Sequence, residues 1–222
     1  RFTRIPRKAS TECWGEVPAT WRMHVMALTS GRCLPLPMRV AGGDSNGSDV
    51  RRSLTRKGLR ELMNELARSA PRRGTYRVYF VGGGTAVLQG WRTSTIDADL
   101  YADKDEIFHD IQGIKERLQL NIEFARPEDF VPALAGSEDR HVFIETVGKV
   151  SFYHYDPYAQ LLSKVVRGFN RDIEDAKRFL KSGMVDAARF RALVDDIPAG
   201  AYAKYPSLSR KAVLEAVDDL LS

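Results

Sequence analysis

The sequence predicts an α+β protein in which several helices pack on a mixed β-sheet and a helical part follows at the C-terminal end. Two short segments, 77–81 and 96–101, are rich in β-branched and aromatic residues or alternate apolar with polar residues, as strands do. Apolar residues within 59–66 and 107–118 recur instead at helical spacing, and the chain after Pro157 shows mainly this helical period. Strands interspersed with helices, followed by helices alone, indicate the α+β class.

A helix, a strand and a glycine turn are predicted in the first part of this fold. One amphipathic helix is predicted between Leu54 and Pro71, and its apolar stripe consists of Leu59, Leu62, Met63 and Leu66. The strand 77–81 then runs directly into Gly82-Gly83-Gly84-Thr85, and the residues that follow are helical in character. The predicted order is therefore strand, glycine turn, helix.

The second half contains three further strands. After the strand 96–101, Asp103 is predicted to cap a helix. The apolar stripe of that helix consists of Ile107, Phe108, Ile111, Ile114 and Leu118. Residues 121–125 are predicted to form a strand, and 141–147 with 149–155 a hairpin about Gly148.

Length and composition predict one medium-sized domain with an additional segment, since the chain has 222 residues of which 43% are hydrophobic. We expect residues 1–49 to form a poorly ordered extension or linker, because they show no sustained period and end in a Gly/Ser/Asp-rich stretch. Residues 50–156 would form the core, and 157–222 a helical part that completes the active site. No apolar run approaches the roughly 18 residues of a membrane span, and no secretory leader is apparent, which predicts a cytoplasmic protein without a membrane partner.

The formal net charge of +5 suggests nucleic acid only if the basic residues are clustered. One candidate cluster lies at the start of the first helix and consists of Arg51, Arg52, Arg56, Lys57 and Arg60. A second consists of Arg167, Arg171, Lys177, Arg178 and Lys181. The alternative for both clusters is an ordinary solvated helix face.

Two acidic residues are predicted to share one face of the second strand. Side chains alternate along a strand, so Asp97 and Asp99 point to the side opposite Ile96, Ala98 and Leu100. Their separation of about 6.6 Å implies a repulsion of about 2.5 kcal/mol at an effective dielectric near 20. A divalent cation would reverse this repulsion, since Mg²⁺ binds one or two carboxylates together with phosphates and waters. Alternatively, both acids simply face water.

The glycine turn between a strand and a helix is suited to a phosphate ligand. It presents backbone N–H groups and the positive end of a helix to an anion. No Lys-Ser/Thr follows at Walker A spacing, and Val87 stands where a dinucleotide fingerprint requires Gly or Ala. A tight turn without a ligand is the alternative.

The complete arrangement is more specific than either part. A strand, Gly-Gly-x-x-Ala, a short helix and Arg92-x-x-Thr95-x-Asp97-x-Asp99 together resemble the DNA polymerase β-like nucleotidyltransferase superfamily. Within it, the chain is similar to the branch of AbiEii-like and MenT-like toxins of toxin-antitoxin systems. The resemblance covers roughly residues 55–185 and implies the nucleotidyltransferase fold.

This resemblance implies roles for individual residues. Gly83-Gly84-Thr85 would cradle the triphosphate of an NTP, and Arg92 and Thr95 would contact phosphate. Asp97 and Asp99 would bind two divalent ions, Mg²⁺ or Mn²⁺. The activity implied is transfer of a nucleoside monophosphate from the NTP to an acceptor.

A second block, Tyr158 to Val165 followed by Arg171-Asp172-x-x-Asp175, is similar to the same branch. Lys164 is predicted on the flank of its helix, from which it would snorkel toward the site and bind phosphate. Asp175 borders the apolar stripe of the next helix and would take part in the site or in a structural salt bridge. The third carboxylate of the superfamily has no clear counterpart; Glu123 is the first candidate and Asp175 the alternative. His154 is predicted to be structural.

The toxin resemblance further implies that the acceptor is the 3′ end of tRNA and that an antitoxin protein is the cellular partner. Two alternatives stay open at this point. One is an enzyme that modifies a small molecule, as antibiotic-modifying nucleotidyltransferases do. The other is a nucleotide-binding module of the same fold without turnover.

Overall fold

The structure, a computed structural model, describes residues 51–222, so the extension predicted over residues 1–49 lies outside the described residues. Its centre is a five-stranded mixed sheet, which confirms the predicted fold class. The strands of this sheet are β2 (Tyr76–Val81), β4 (Asp97–Ala102), β5 (Asn121–Phe124), β6 (Val142–Val147) and β7 (Val150–His154), in the spatial order β5-β4-β2-β7-β6. A separate pair is formed by β1 (Leu54–Thr55) and β3 (Ser94–Thr95).

Seven α-helices occur in the described part of the chain. Three belong to the sheet-containing half and are α1 (Arg56–Ser69), α2 (Gly82–Leu88) and α3 (Ile111–Leu118). The C-terminal part consists of α4 (Pro157–Arg167), α5 (Asn170–Lys181), α6 (Ala187–Asp195) and α7 (Arg210–Leu221). None of the helices within residues 51–222 is both long and apolar enough to cross a membrane.

The sheet combines antiparallel and parallel neighbours. The central strand β2 is antiparallel to β4 and parallel to β7, and β5 is parallel to β4. The predicted hairpin is confirmed: β6 and β7 are antiparallel and joined by Gly148, whose φ of +59° belongs to the left-handed region that glycine adopts readily.

The two faces of the sheet have different neighbours. One face packs on α1, α2 and α3, and its core contains Val78, Phe80, Ala98, Leu100, Ile122 and Phe152. The predicted stripe of α1 belongs to this core, with Leu59, Leu62 and Leu66 fully buried. The opposite face carries Asp97 and Asp99 of β4, as the alternation predicts. A second apolar core, which includes Leu161, Phe179, Phe190 and Val217, lies within the C-terminal helices.

Two local predictions are wrong. Asp103 does not cap a helix, because its carboxylate accepts a hydrogen bond from the backbone N–H of Arg77 at 3.0 Å. The predicted helix is divided into a 3-10 turn, Asp105–Phe108, and the later α3. Ile96 does not share the core face with Ala98, since its side chain is 67% exposed. At Ile96 the chain changes its pairing partner from β1 to β2 and β5.

Candidate functional site

Three carboxylates lie on the sheet face that α1 and α3 leave free. Asp97 and Asp99 are on β4, and the parallel register places Asn121 of β5 beside Asp97 and Glu123 beside Asp99. The side-chain amide of Asn121 donates to Asp97 and, at 3.3 Å, to Glu123. The structure thus brings Glu123, the first candidate for a third carboxylate, to the predicted pair.

Burial and charge crowding perturb the central acid of this group. The pKa of Asp99 is raised to about 6, mainly by its removal from water and also by the negative charges of Glu123 and Asp97. The positive charges of Arg167 and Lys164 oppose this rise. The three neighbouring carboxylates therefore concentrate negative charge around Asp99, and this charge favours a bound cation or a proton there.

The glycine turn lies directly against these carboxylates. Gly82 begins α2 with φ +55°, and a Cβ atom at this position would lie 2.6 Å from Asp99 Oδ2. A Cβ atom on Gly83 would overlap the hydroxyl of Thr95. Glycine is therefore required for the turn to approach both Asp99 and Thr95 so closely.

A glutamine that the sequence analysis did not single out anchors the turn. The backbone N–H of Gly82 donates to Gln160 Oε1 at 2.9 Å, and Gln160 Nε2 donates to the carbonyl of Tyr155 at 2.8 Å. Gln160 is on α4 and is 1% exposed. It lies within the second block of the resemblance, which is the signal that could have identified it.

The side chain of Thr85 points into the protein, so only its backbone N–H is left for the phosphate cradle that the resemblance implies. Thr85 is fully buried, and its hydroxyl donates to the carbonyl of Phe80 at 3.1 Å. His154 Nδ1 lies 3.2 Å from the same hydroxyl, while its Nε2 lies 2.8 Å from Gln89 Nε2. Burial lowers the pKa of His154 to about 4, so the ring is neutral near pH 7. These contacts agree with the structural role predicted for His154.

Lys164 lies inside the protein and not at a solvent-exposed position of its helix. Its side chain is 2% exposed, and Nζ lies 2.6 Å from Asp175 Oδ2 and 3.2 Å from Asp172 Oδ1. The prediction that Lys164 snorkels from the edge of the apolar stripe is therefore wrong. The reason is that α5 packs on α4 and covers this position with its two acidic side chains.

Two arginines complete this ion network. Arg92 binds Asp175 through Nε at 2.9 Å and through a terminal nitrogen at 2.7 Å. Arg167 binds Asp172 in the same two-point manner, at 3.0 and 2.8 Å. Arg92, expected to contact phosphate, is thus paired with Asp175, for which a structural salt bridge was the alternative to a role in the site. The network contains three cations and two carboxylates and so carries one net positive charge, and the charges of Arg167 and Lys164 are felt at Asp99.

The donor set fits a divalent cation held jointly by protein and substrate. Within residues 51–222, no three or more His, Cys, Asp or Glu side chains form a close cluster of metal ligands. Mg²⁺ does not need such a cluster, since one or two carboxylates with phosphates and waters complete its octahedral coordination. Asp97 and Asp99 supply two carboxylates beside a turn with open backbone N–H groups.

Comparison with known proteins agrees with this geometry. Residues 57–213 match a family model described as nucleotidyltransferase of unknown function (DUF6036). No curated protein and no solved structure matches the chain. The matched range includes the carboxylates, the glycine turn and the ion network, and it covers well over half of the chain. The chain therefore belongs to the DUF6036 family of nucleotidyltransferases.

Proposed function

We propose that this protein transfers a nucleoside monophosphate from an NTP to an acceptor hydroxyl and uses Mg²⁺ or Mn²⁺ held by Asp97 and Asp99. One observation carries the proposal: Gly82 and Gly83 approach Asp99 and Thr95 so closely that no Cβ atom fits between them. Phosphates bound to the N–H groups of the turn would thus lie beside the carboxylates. A triphosphate and carboxylates repel each other unless a divalent ion lies between them.

In the proposed reaction, the acceptor hydroxyl oxygen forms a bond to the α-phosphorus while the bond to pyrophosphate breaks. The divalent ions would polarise the phosphoryl oxygens and align the attacking and leaving oxygens. The backbone N–H groups of Gly83 and Gly84 would hold the phosphates. Glu123 accepts the hydroxyl proton in this scheme, because it is the additional carboxylate beside Asp99 in the sheet register.

We propose that Lys164 and Arg167 act on the site through their charge, whereas the resemblance implied direct phosphate contact for Lys164. Their positive charges reach the carboxylate group, where they oppose the rise in the pKa of Asp99. Asp172 and Asp175 hold Lys164 in place, so we propose that it attracts the triphosphate through its charge. Direct contact with phosphate would require the Asp175 pair to open.

For the acceptor we propose the 3′ end of tRNA, and for the biological role the toxin of a toxin-antitoxin pair. Two blocks of sequence support this branch: the glycine turn with Asp97 and Asp99, and Lys164 with Arg171-Asp172-x-x-Asp175. An enzyme that blocks tRNA ends would stop translation in its own host, and the cell would then require a neutralising antitoxin.

Incubation with α-labelled NTPs and Mg²⁺ tests the proposal, with total tRNA in one reaction and aminoglycosides in another. Labelled tRNA is the expected result, and Asp97→Asn should lower the transfer rate at least about a hundredfold. Asp105→Asn is the matched control, since Asp105 is an exposed acid in the 3-10 turn after β4. A labelled aminoglycoside would replace the tRNA acceptor by a small molecule. Nucleotide binding without any label transfer would show a binding module.

Expression in bacteria without an antitoxin tests the biological role. Wild-type protein should arrest growth, and Asp97→Asn should not. Equal arrest by both would show that toxicity does not come from catalysis, and absence of arrest by the wild type would contradict the toxin role.

A further inference from the structure

The segment that leads into β1 runs along the outer side of the carboxylate group. Leu54 of β1 is the register partner of Thr95 in β3, the short strand that precedes β4. The backbone N–H of Arg52 donates to the carbonyl of Gln119 at 2.9 Å, just before β5 begins. The segment 51–55 therefore contacts both the chain that leads into β4 and the chain that leads into β5.

One arginine of this segment reaches the carboxylates through an amide. Arg51 Nη1 donates to Asn121 Oδ1 at 3.0 Å. Asn121 Nδ2 donates in turn to Asp97 and, at 3.3 Å, to Glu123. An amide nitrogen is only a donor and an amide oxygen only an acceptor, so one orientation of the amide satisfies all three contacts. Arg51 and the two acids thus hold this orientation together.

Arg51 differs from the rest of the basic cluster at the start of the first helix. Acidic side chains at 2.6 to 3.9 Å pair with three members of that cluster, which are Arg52, Lys57 and Arg60. Arg56 lines a pocket beside Leu88, a residue of the helix-covered core. Arg51 is exposed and forms no ion pair within residues 51–222. Only this member of the cluster is directed to the candidate site.

Arg51 and the glycine turn lie on opposite sides of Asp97 and Asp99. The turn follows β2, Asn121 and Glu123 are on β5, and β4 lies between these two strands. With the triphosphate on the turn, pyrophosphate leaves on the side of β2. An in-line reaction places the attacking oxygen on the opposite side of the α-phosphorus. The acceptor therefore approaches from the side of β5, where Arg51 lies.

A guanidinium group on this side favours an anionic acceptor. Within the described residues the Arg51 side chain donates to Asn121 alone, so its other N–H groups are available to a ligand. A guanidinium group binds phosphate oxygens by charge-assisted hydrogen bonds, often two at a time. It repels a polycation such as an aminoglycoside. The acceptor side of the site thus fits a phosphate better than an amine.

We propose that Arg51 binds a backbone phosphate of an RNA acceptor close to its 3′ end, and that Asn121 holds the guanidinium group in place. The inference rests on the proposed transfer reaction, from which it takes the direction of attack. It narrows the acceptor to a polynucleotide, because the phosphate of the terminal nucleotide lies close to the reacting hydroxyl. Arg51 is then a substrate-binding residue and Asn121 a positioning residue.

Binding of a labelled single-stranded oligoribonucleotide to the full chain, with Mg²⁺ and without NTP, tests this contact. No transfer occurs without a donor, so the measurement does not depend on activity. Arg51→Ala should weaken binding at least about tenfold, since a charge-assisted hydrogen bond is lost. The slope of log Kd against log salt concentration should fall by about 0.7, as expected for one phosphate contact to a single strand.

Two substitutions serve as comparisons. Arg51→Lys should bind more tightly than Arg51→Ala but less tightly than wild type, because lysine keeps the charge without the planar fork. Arg52→Ala is the matched control, since Arg52 is the next residue, is exposed and is paired with Glu61. The proposal is overturned if wild type does not bind the oligoribonucleotide, or if Arg51→Ala binds it as well as Arg52→Ala does.

A double-mutant cycle tests the positioning role of Asn121. Asn121→Ala should weaken RNA binding less than Arg51→Ala, and the loss caused by Arg51→Ala should be smaller in the Asn121→Ala background. Such coupling is expected only if the amide acts through the guanidinium group. Strictly additive losses would contradict this role.

Steady-state kinetics separate this inference from the proposed function. Arg51→Ala should raise KM for RNA about tenfold and leave KM for NTP unchanged, because the contact is made on the acceptor side. A rise in KM for NTP alone would assign Arg51 to the donor and overturn the inference. RNA binding that depends on Arg51, without label transfer to any acceptor, would contradict the transfer reaction but support the contact. Transfer to RNA with equal KM in Arg51→Ala and Arg52→Ala would contradict the contact alone.

Discussion

Replacing Lys164 by methionine would remove one charge from the buried ion network and keep most of the side-chain volume. Lys164 is 2% exposed and lies 2.6 Å from Asp175 and 3.2 Å from Asp172. Removal of one partner from a buried ion pair commonly costs about 3–5 kcal/mol, because the remaining charge stays buried. Since Arg92 and Arg167 still contact the two carboxylates, we expect the lower end of this range, about 3 kcal/mol.

Equilibrium unfolding in urea measures this cost. With a slope of about 2 kcal/mol per molar urea, a loss of about 3 kcal/mol lowers the midpoint by about 1.5 M. Lys181→Met is the control, since Lys181 is an exposed lysine at the end of α5, and we expect a change within about 0.5 kcal/mol. Adding Asp175→Asn to Lys164→Met should recover at least about 1 kcal/mol, because the nearly buried Asp175 keeps only one of its two cationic partners, whereas Arg92 is partly exposed and can be hydrated without it.

Equal stability of Lys164→Met and wild type would refute the reasoning. It would mean that Lys164 is not paired with Asp172 and Asp175 in solution, and that the lysine is available for direct contact with phosphate. Failure of Asp175→Asn to restore stability would show instead that Arg92, and not Lys164, is the essential partner of Asp175.

Three further outcomes are expected. The pKa of Asp99 is raised from 3.8 to about 6 in the folded protein, so between about pH 4 and 6 the folded state retains a proton that the unfolded state has lost. The free energy of unfolding therefore falls as pH rises through this range. Thermal unfolding in EDTA should show this fall in wild type and a smaller one in Asp99→Asn. Gly82→Ala should destabilise the protein and abolish transfer, because its Cβ atom would lie 2.6 Å from Asp99 Oδ2. Gly90→Ala is the control for backbone strain alone, since Gly90 has a φ of +75° but a Cβ atom there would meet no atom within 4 Å. Equal losses of stability in the two variants would contradict the close approach of Gly82 to Asp99. Mg²⁺ should raise the melting temperature of wild type at pH 7 and have little effect on Asp97→Asn, and an equal rise in both would exclude Asp97 as a ligand.

Much of the fold and part of the site could be predicted because their signals are local. The alternation of Asp97, Ala98, Asp99 and Leu100 determines which side chains share a face, wherever the strand is placed. The apolar stripe of α1 and the hairpin about Gly148 follow in the same way from short periods and from glycine. The glycine turn before a helix was likewise visible in the order of residues alone.

The partners of the charged side chains were decided by the tertiary structure. Glu123 joins Asp99 only because β5 pairs with β4 in one particular register, and a shift by one residue would turn its side chain to the other face. Asp103, predicted as a helix cap, instead accepts the N–H of Arg77, which is 26 residues away in the chain.

Lys164 shows most clearly the difference between what the sequence predicts and what the tertiary structure decides. The helical period of α4 placed it correctly at the border of an apolar stripe, but periodicity gives only a direction around one helix. Whether that direction leads to solvent or to a second helix depends on how α5 packs, and α5 brings Asp172 and Asp175 over the lysine. By itself the sequence determined secondary structure, strand faces and the residues available for chemistry. The tertiary structure decided burial and charge pairing, because both depend on contacts between segments that are distant in the chain.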